Sequence, residues 1–68
     1  MNVTIQLNGE VYLIEDGLRL EVLLERLALR PARVAVEVNQ EVIQKVDYPQ
    51  TVLNHGDKVE IINFVGGG

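Results

Sequence analysis

The sequence predicts an α+β domain, a mixed sheet of about four to five strands packed on one main helix. Three observations predict it. Two stretches of alternating apolar and polar residues are joined by Asn8-Gly9. Four leucines recur at helical spacing between Leu20 and Leu27. Alternation then returns at Val34-Val36-Val38 and at Val59-Ile61.

The elements follow in order. Val3, Ile5 and Leu7 alternate with Asn2, Thr4 and Gln6, the two-residue period of a half-buried strand. Asn8-Gly9 suits a tight hairpin turn, in which both central residues need positive φ. A second strand is expected to send Val11 and Leu13 inward, so that residues 2–14 form an opening hairpin. After the break at Asp16-Gly17, Leu20, Leu23, Leu24 and Leu27 fall on one helical stripe. Glu21 and Glu25 lie toward the start of this helix and Arg26 and Arg30 toward its end, the order the helix dipole favours. Pro31 is expected to stop it, because the residue before a proline avoids the α region. Arg19 stands where Ser or Thr would cap well, leaving Asp16 as the available substitute.

Val34, Val36 and Val38 then mark a third strand, Asn39-Gln40 a turn, and Glu41-Val42-Ile43 a short fourth strand. The segment from Gln44 to Gln50 contains Pro49 and has no clean period, so it reads as loop with room for one helical turn. Leu53 is expected to plug the core ahead of the polar turn Asn54-His55-Gly56-Asp57. A final strand runs from Lys58 to about Phe64, with Val59 and Ile61 inward. Residues 1–65 thus form one folded domain and residues 66–68 a flexible glycine tail.

Composition narrows the function. A chain of 68 residues without cysteine has neither disulfides nor a thiolate metal cluster to support it, and only 4% of it is aromatic. Its 47% apolar content must therefore build an aliphatic core. Ten acidic against six basic residues, with no Lys/Arg run, disfavour nucleic acid as a partner. No signal peptide is evident, and no apolar stretch approaches the roughly 20 residues that span a bilayer. The expected location is the cytoplasm.

The reactive inventory is thin: no Ser, no Cys, one His and two Thr. Ser/His and Cys/His nucleophile arrangements are excluded, and a lone His55 with scattered carboxylates is weak support for a metal site. His55 and Asp57 read as turn residues, and Glu21 and Glu25 as the wet side of the helix. No catalytic or metal-binding residue is assigned, no cofactor is expected to be bound, and the chain does not read as an enzyme in its own right.

What remains is the end of the chain. After Val65 side chains cease: Gly66, Gly67 and Gly68 precede the carboxylate. Three glycines do not pack, so they add nothing to a fold, and a frayed end is the bland reading. Position favours a functional one, because the tail leaves directly from the last core strand. With a reference pKa near 3.5 a terminal carboxylate is ionised at neutral pH and is a poor electrophile. Attack on the α-phosphate of ATP would activate it as an acyl-adenylate, and a persulfide sulfur could then displace AMP to leave a thiocarboxylate. Glycine suits passage through a narrow channel because it has no Cβ. The chain has no phosphate loop, so the enzymes that use ATP and the sulfur donor must come from outside.

Val38-Asn39, Val42-Ile43, Leu53 with Gly56-Asp57-Lys58-Val59-Glu60-Ile61, and Phe64-Val65-Gly66-Gly67-Gly68 together resemble the thiamine-biosynthesis sulfur carrier family, whose fold is the ubiquitin-like β-grasp. The likeness covers the whole chain in length and element order. It implies that Gly68 is adenylated by an E1-like enzyme and converted to a thiocarboxylate, with Gly66 and Gly67 threading into the partner's active site. It also implies a sulfur-donating persulfide protein and thiazole synthase as partners. Many family members end in two glycines rather than three, and many cap the helix better than Arg19 does. The small subunit of molybdopterin synthase has the same chemistry but often places proline before its glycines. Asn63-Phe64-Val65 has none, which favours the thiamine reading. A ubiquitin-like modifier and a plain scaffold module are the remaining alternatives.

If Val59 and Ile61 face the core, alternation sends Glu60, Ile62 and Phe64 to the opposite face. Tyr12 and Ile14 are expected to share that outward parity on the second strand. Ile62, Phe64, Val65 and Tyr12 are the candidate partner-binding residues, since exposed apolar clusters mark interaction surfaces.

Overall fold

The computed structural model describes residues 1–64. Strands β1 (Asn2–Leu7) and β2 (Glu10–Glu15) form the opening hairpin, helix α1 spans Leu20–Arg26, and β3 (Val34–Val38), β4 (Glu41–Ile43) and β5 (Lys58–Asn63) complete the chain. The five strands lie in the order β2-β1-β5-β3-β4. β5 runs parallel to β1 and antiparallel to β3, so the last strand occupies the middle of the sheet. This is the α+β architecture expected from the sequence, with both tight turns where expected. Asn8 and Gly9 adopt φ of 50° and 85°, and Asn39 and Gln40 adopt 53° and 70°, each pair closing a two-residue hairpin.

One face of the sheet packs on the helix. Leu20, Leu23 and Leu24 meet Ile5, Ile14, Val34, Val36, Leu53, Val59 and Ile61 in a wholly apolar core. The inward parities expected for β1, β3 and β5 hold. That of β2 is reversed: Val11 and Leu13 are exposed, whereas Ile14 is buried and Tyr12 half-buried against the core. The cause is the register that the tight turn imposes. Because only Asn8 and Gly9 separate the strands, Ile5 lies opposite Tyr12 and Val3 opposite Ile14. Opposed residues share a face, so the inward side of β1 dictates that of β2.

The helix is shorter than the leucine stripe. It ends at Arg26, five residues ahead of Pro31, with Leu27 as its C-cap. Ala28 takes a left-handed φ of 59°, its N–H donates to the Glu25 carbonyl (3.0 Å), and the Leu29 N–H donates to the Leu24 carbonyl (2.9 Å). This is a Schellman termination, with alanine where glycine is usual. The exposed Ala28→Gly variant is expected to be more stable by about 0.5–1 kcal/mol, because glycine has no Cβ to clash in this conformation. A higher midpoint in thermal unfolding checks it, and a lower one would show that the alanine methyl is useful where it stands.

At the other end, no side chain caps the helix, Asp16 included. The Leu20 N–H instead donates to the Thr51 carbonyl (2.8 Å) and the Leu53 N–H to the Leu18 carbonyl (2.9 Å). A strand-like bridge between Arg19 and Val52 thus replaces a cap with tertiary main-chain pairing. The segment read as loop with room for one helical turn holds a 3-10 turn at Lys45–Gln50 that buries Tyr48, and burial pushes its phenol pKa up. Arg26 forks onto Glu15, tying the helix end to β2 and lowering that exposed carboxyl to about 2. No helix among the described residues is long and apolar enough to cross a membrane.

Candidate functional site

The candidate site is the surface around the root of the C-terminal segment, and its position is set by how β5 is held. Only Gln6–Lys58 and Leu7–Val59 pair directly between β1 and β5. Beyond them Asn8 continues the ladder. Its N–H donates to the Val59 carbonyl (2.8 Å), its Oδ1 accepts the Ile61 N–H (2.8 Å), and its Nδ2 donates to the Ile61 carbonyl (3.3 Å). The side-chain amide therefore stands in for a strand residue that the turn removed.

Asn39 braces the start of β5 in a similar way. Its Oδ1 accepts the Lys58 N–H (2.9 Å), its Nδ2 donates to Asp57 Oδ1 (3.0 Å), and Asp57 Oδ2 accepts the Asn54 N–H (2.8 Å). His55 is exposed in the same turn, and its Nδ1 accepts the Thr4 N–H (3.2 Å). Both His55 and Asp57 are turn residues, as expected, and both tie the turn to its surroundings.

At its far end β5 is paired with β3 through Asn63 and Val34, and the Phe64 N–H donates to the Arg33 carbonyl at 2.7 Å. The main chain is thus fixed up to Phe64. Val65, Gly66, Gly67 and Gly68, four of the residues singled out above, lie outside the described residues.

The side chains around this root are apolar and open. Ile62 and Phe64 are 59% and 53% exposed, so neither turns back under the fold. Phe64 also borders a shallow groove of about 290 Å³, lined by Val42, Lys45 and Tyr48 among others. Tyr12 is not part of this surface. It lies on the helix side of the sheet with Ile5, and Ile14 is core, for the register reason given above. Sequence reasoning missed Val42, which is exposed on the outer face beside Glu37. Its signal was the Asn39-Gln40 turn, which fixes the β3–β4 pairing as Asn8-Gly9 fixes that of β1–β2.

Comparison with known proteins agrees with this geometry. The chain matches the ThiS family over residues 5–68. It is 40% identical over 65 residues to the sulfur carrier protein ThiS of Bacillus subtilis, covering 94% of this chain and 98% of that one. It is 44% identical over 64 residues to a thiazole synthase of Magnetococcus marinus, covering 94% of this chain but spanning only 20% of that protein. The fold superposes on the crystal structure of the thiamine biosynthesis protein ThiS from Geobacter metallireducens with a TM-score of 0.82. That match has 30% identity and covers 97% of this chain and 100% of the other. These names fall on the thiamine side and do not favour the molybdopterin alternative. The chain belongs to the ThiS family, ubiquitin-like sulfur carriers of thiamine biosynthesis.

Proposed function

We propose that the sulfur is carried on the main-chain carboxylate of Gly68, with no catalysis by the domain itself. The observation that supports this reading most is the clamp at the tail root. The Phe64 N–H is held by the Arg33 carbonyl at the end of the central strand, so residues 65–68 depart from a fixed point. Four residues reach about 13 Å, enough to enter a partner's active site while the folded domain stays outside.

In this reading a carboxylate oxygen attacks the α-phosphorus of ATP on an E1-like enzyme, and pyrophosphate leaves. The terminal sulfur of a persulfide protein attacks the acyl carbon and expels AMP. A thiol then cleaves the resulting S–S bond and leaves the thiocarboxylate, which donates its sulfur on thiazole synthase. The M. marinus relative supports that last partner, since a domain like this one occupies part of a chain named thiazole synthase. Ile62, Phe64 and Val65 contribute the apolar contact beside the tail, and Gly66 and Gly67 pass through the channel.

The test is intact-mass analysis after incubation with ATP, an adenylating enzyme and a persulfide donor. The expected gain equals the difference between a sulfur and an oxygen atom. Removing Gly67 and Gly68 should abolish the gain and leave the thermal midpoint unchanged. The same gain in a variant extended beyond Gly68 would rule the carboxylate out.

A further inference from the structure

The sheet ends at β2, and that edge is bare. β4, at the opposite edge, is only three residues long, whereas β2 runs for six in unbroken register with β1. It has none of the proline, lysine or bulge that usually blunts an edge strand. The direction of its free main-chain groups follows from the pairing on the other side of β1. The Gln6 N–H donates to the Asp57 carbonyl (2.9 Å) and the Thr4 carbonyl accepts the Gly56 N–H (2.8 Å), so Thr4 and Gln6 aim their main chain at β5. Ile5 and Leu7 therefore aim theirs at β2, where they meet Tyr12 and Glu10. Val11 and Leu13 are left with N–H and C=O directed outward, and no main-chain bond reaches them from any other segment of the described residues. Their side chains are 76% and 60% exposed on the outer face.

We infer that β2 pairs antiparallel with β2 of a second copy of this chain, with Val11 opposite Leu13 and Tyr12 opposite Tyr12 about a twofold axis. The occupant is a second copy because the edge is complementary to itself. Val11 and Leu13 each offer an outward donor and an outward acceptor, so each Val11–Leu13 pair exchanges both hydrogen bonds. Opposed residues share a face, so apolar side chains meet on the outer face and the Tyr12 rings meet on the helix side. Charge and overlap select this register over its neighbours. A slide of two residues one way sets Leu13 opposite itself but puts Glu10 opposite Asp16, and a slide the other way overlaps residues 10–12 alone. In the chosen register Glu10 faces Ile14, and Glu15, already held by Arg26, faces Gly9. The two copies of β5 then run in opposite directions, so the tails leave at opposite ends of the joined sheet and neither blocks the other. One pair of six-residue strands buries less than the roughly 1,600 Å² of a standard interface, so the dimer is weak and exchanges with monomer. This inference does not depend on the carrier reading.

The experiment is analytical ultracentrifugation of the full chain over a range of concentrations, with two double variants at these exposed positions. The average mass of the natural chain should rise from one chain toward two as concentration increases. The association should tighten at high salt, because two chains of net charge -4 repel each other. Val11→Lys with Leu13→Lys sets like charges at both pairs and should weaken dimerisation at least about thirtyfold. Val11→Lys with Leu13→Glu sets opposite charges at both pairs and should recover much of that loss. In the register with Leu13 opposite itself, the same variant would instead repel. A single-chain mass for the natural protein at every concentration would overturn the inference. So would an undiminished dimer in the first variant, or a second variant no tighter than the first. If circular dichroism shows that the variants do not fold, hydrogen exchange in the natural chain decides. The Val11 and Leu13 N–H groups should exchange more slowly as concentration rises, and rates independent of concentration would refute the pairing. The mass gain expected of the carrier is unaffected by either result.

Discussion

Leu53→Ala is expected to destabilise the domain by about 3–4 kcal/mol, near the middle of the range for emptying a fully buried leucine site. Leu53 is completely buried among the leucines of α1 and the valines of β3 and β5. It stands in neither strand nor helix, held by its N–H bond to the Leu18 carbonyl. At about 4–8 °C per kcal/mol for a domain of this size, the thermal midpoint should fall by some 12–30 °C. Leu53→Met, which keeps the volume, should cost less than about 1.5 kcal/mol. Equal losses for the two variants would mean that shape, rather than a cavity, governs the site.

Asn8→Ala should cost about 2–4 kcal/mol, more than an ordinary turn substitution. It removes both amide contacts to Ile61, leaving a partly buried N–H and C=O without partners, and it places a Cβ-bearing residue without a local hydrogen bond at a φ of 50°. Asn8→Gly separates the two contributions, since it relieves the backbone but still lacks the amide. Asn8→Asp keeps the acceptor for the Ile61 N–H and loses the donor. Urea unfolding should rank natural chain, then Asp and Gly, then Ala. If alanine cost no more than glycine, the backbone conformation would contribute nothing to the loss.

The fold was largely legible because its signals are local. Asn8-Gly9, the leucine stripe and the Val34-Val36-Val38 alternation each specify an element within a few residues. What escaped depended on backbone conformation, on strand register or on contacts between distant segments. The early end of α1 is set by Ala28, whose left-handed backbone has no mark in its side chain. Tyr48 is core because a 3-10 turn with little periodicity carries it there. The parity of β2 was legible in principle, through the register that a two-residue turn imposes, but alternation read strand by strand does not contain it. That error put Tyr12 on the partner surface. The role proposed for the tail rests on composition, a side-chain-free end on a chain poor in reactive groups.

The placement of β5 has a consequence for synthesis. As a nascent chain leaves the ribosome, its opening hairpin, its helix and its middle hairpin are all available before residue 58 has been made. The sheet cannot be completed from these pieces, because β1 and β3 have no shared neighbour until the last strand arrives between them. A chain cut before β5 therefore lacks the centre of the sheet, and Ile5, Val34 and Val36 lose Val59 and Ile61 as core neighbours.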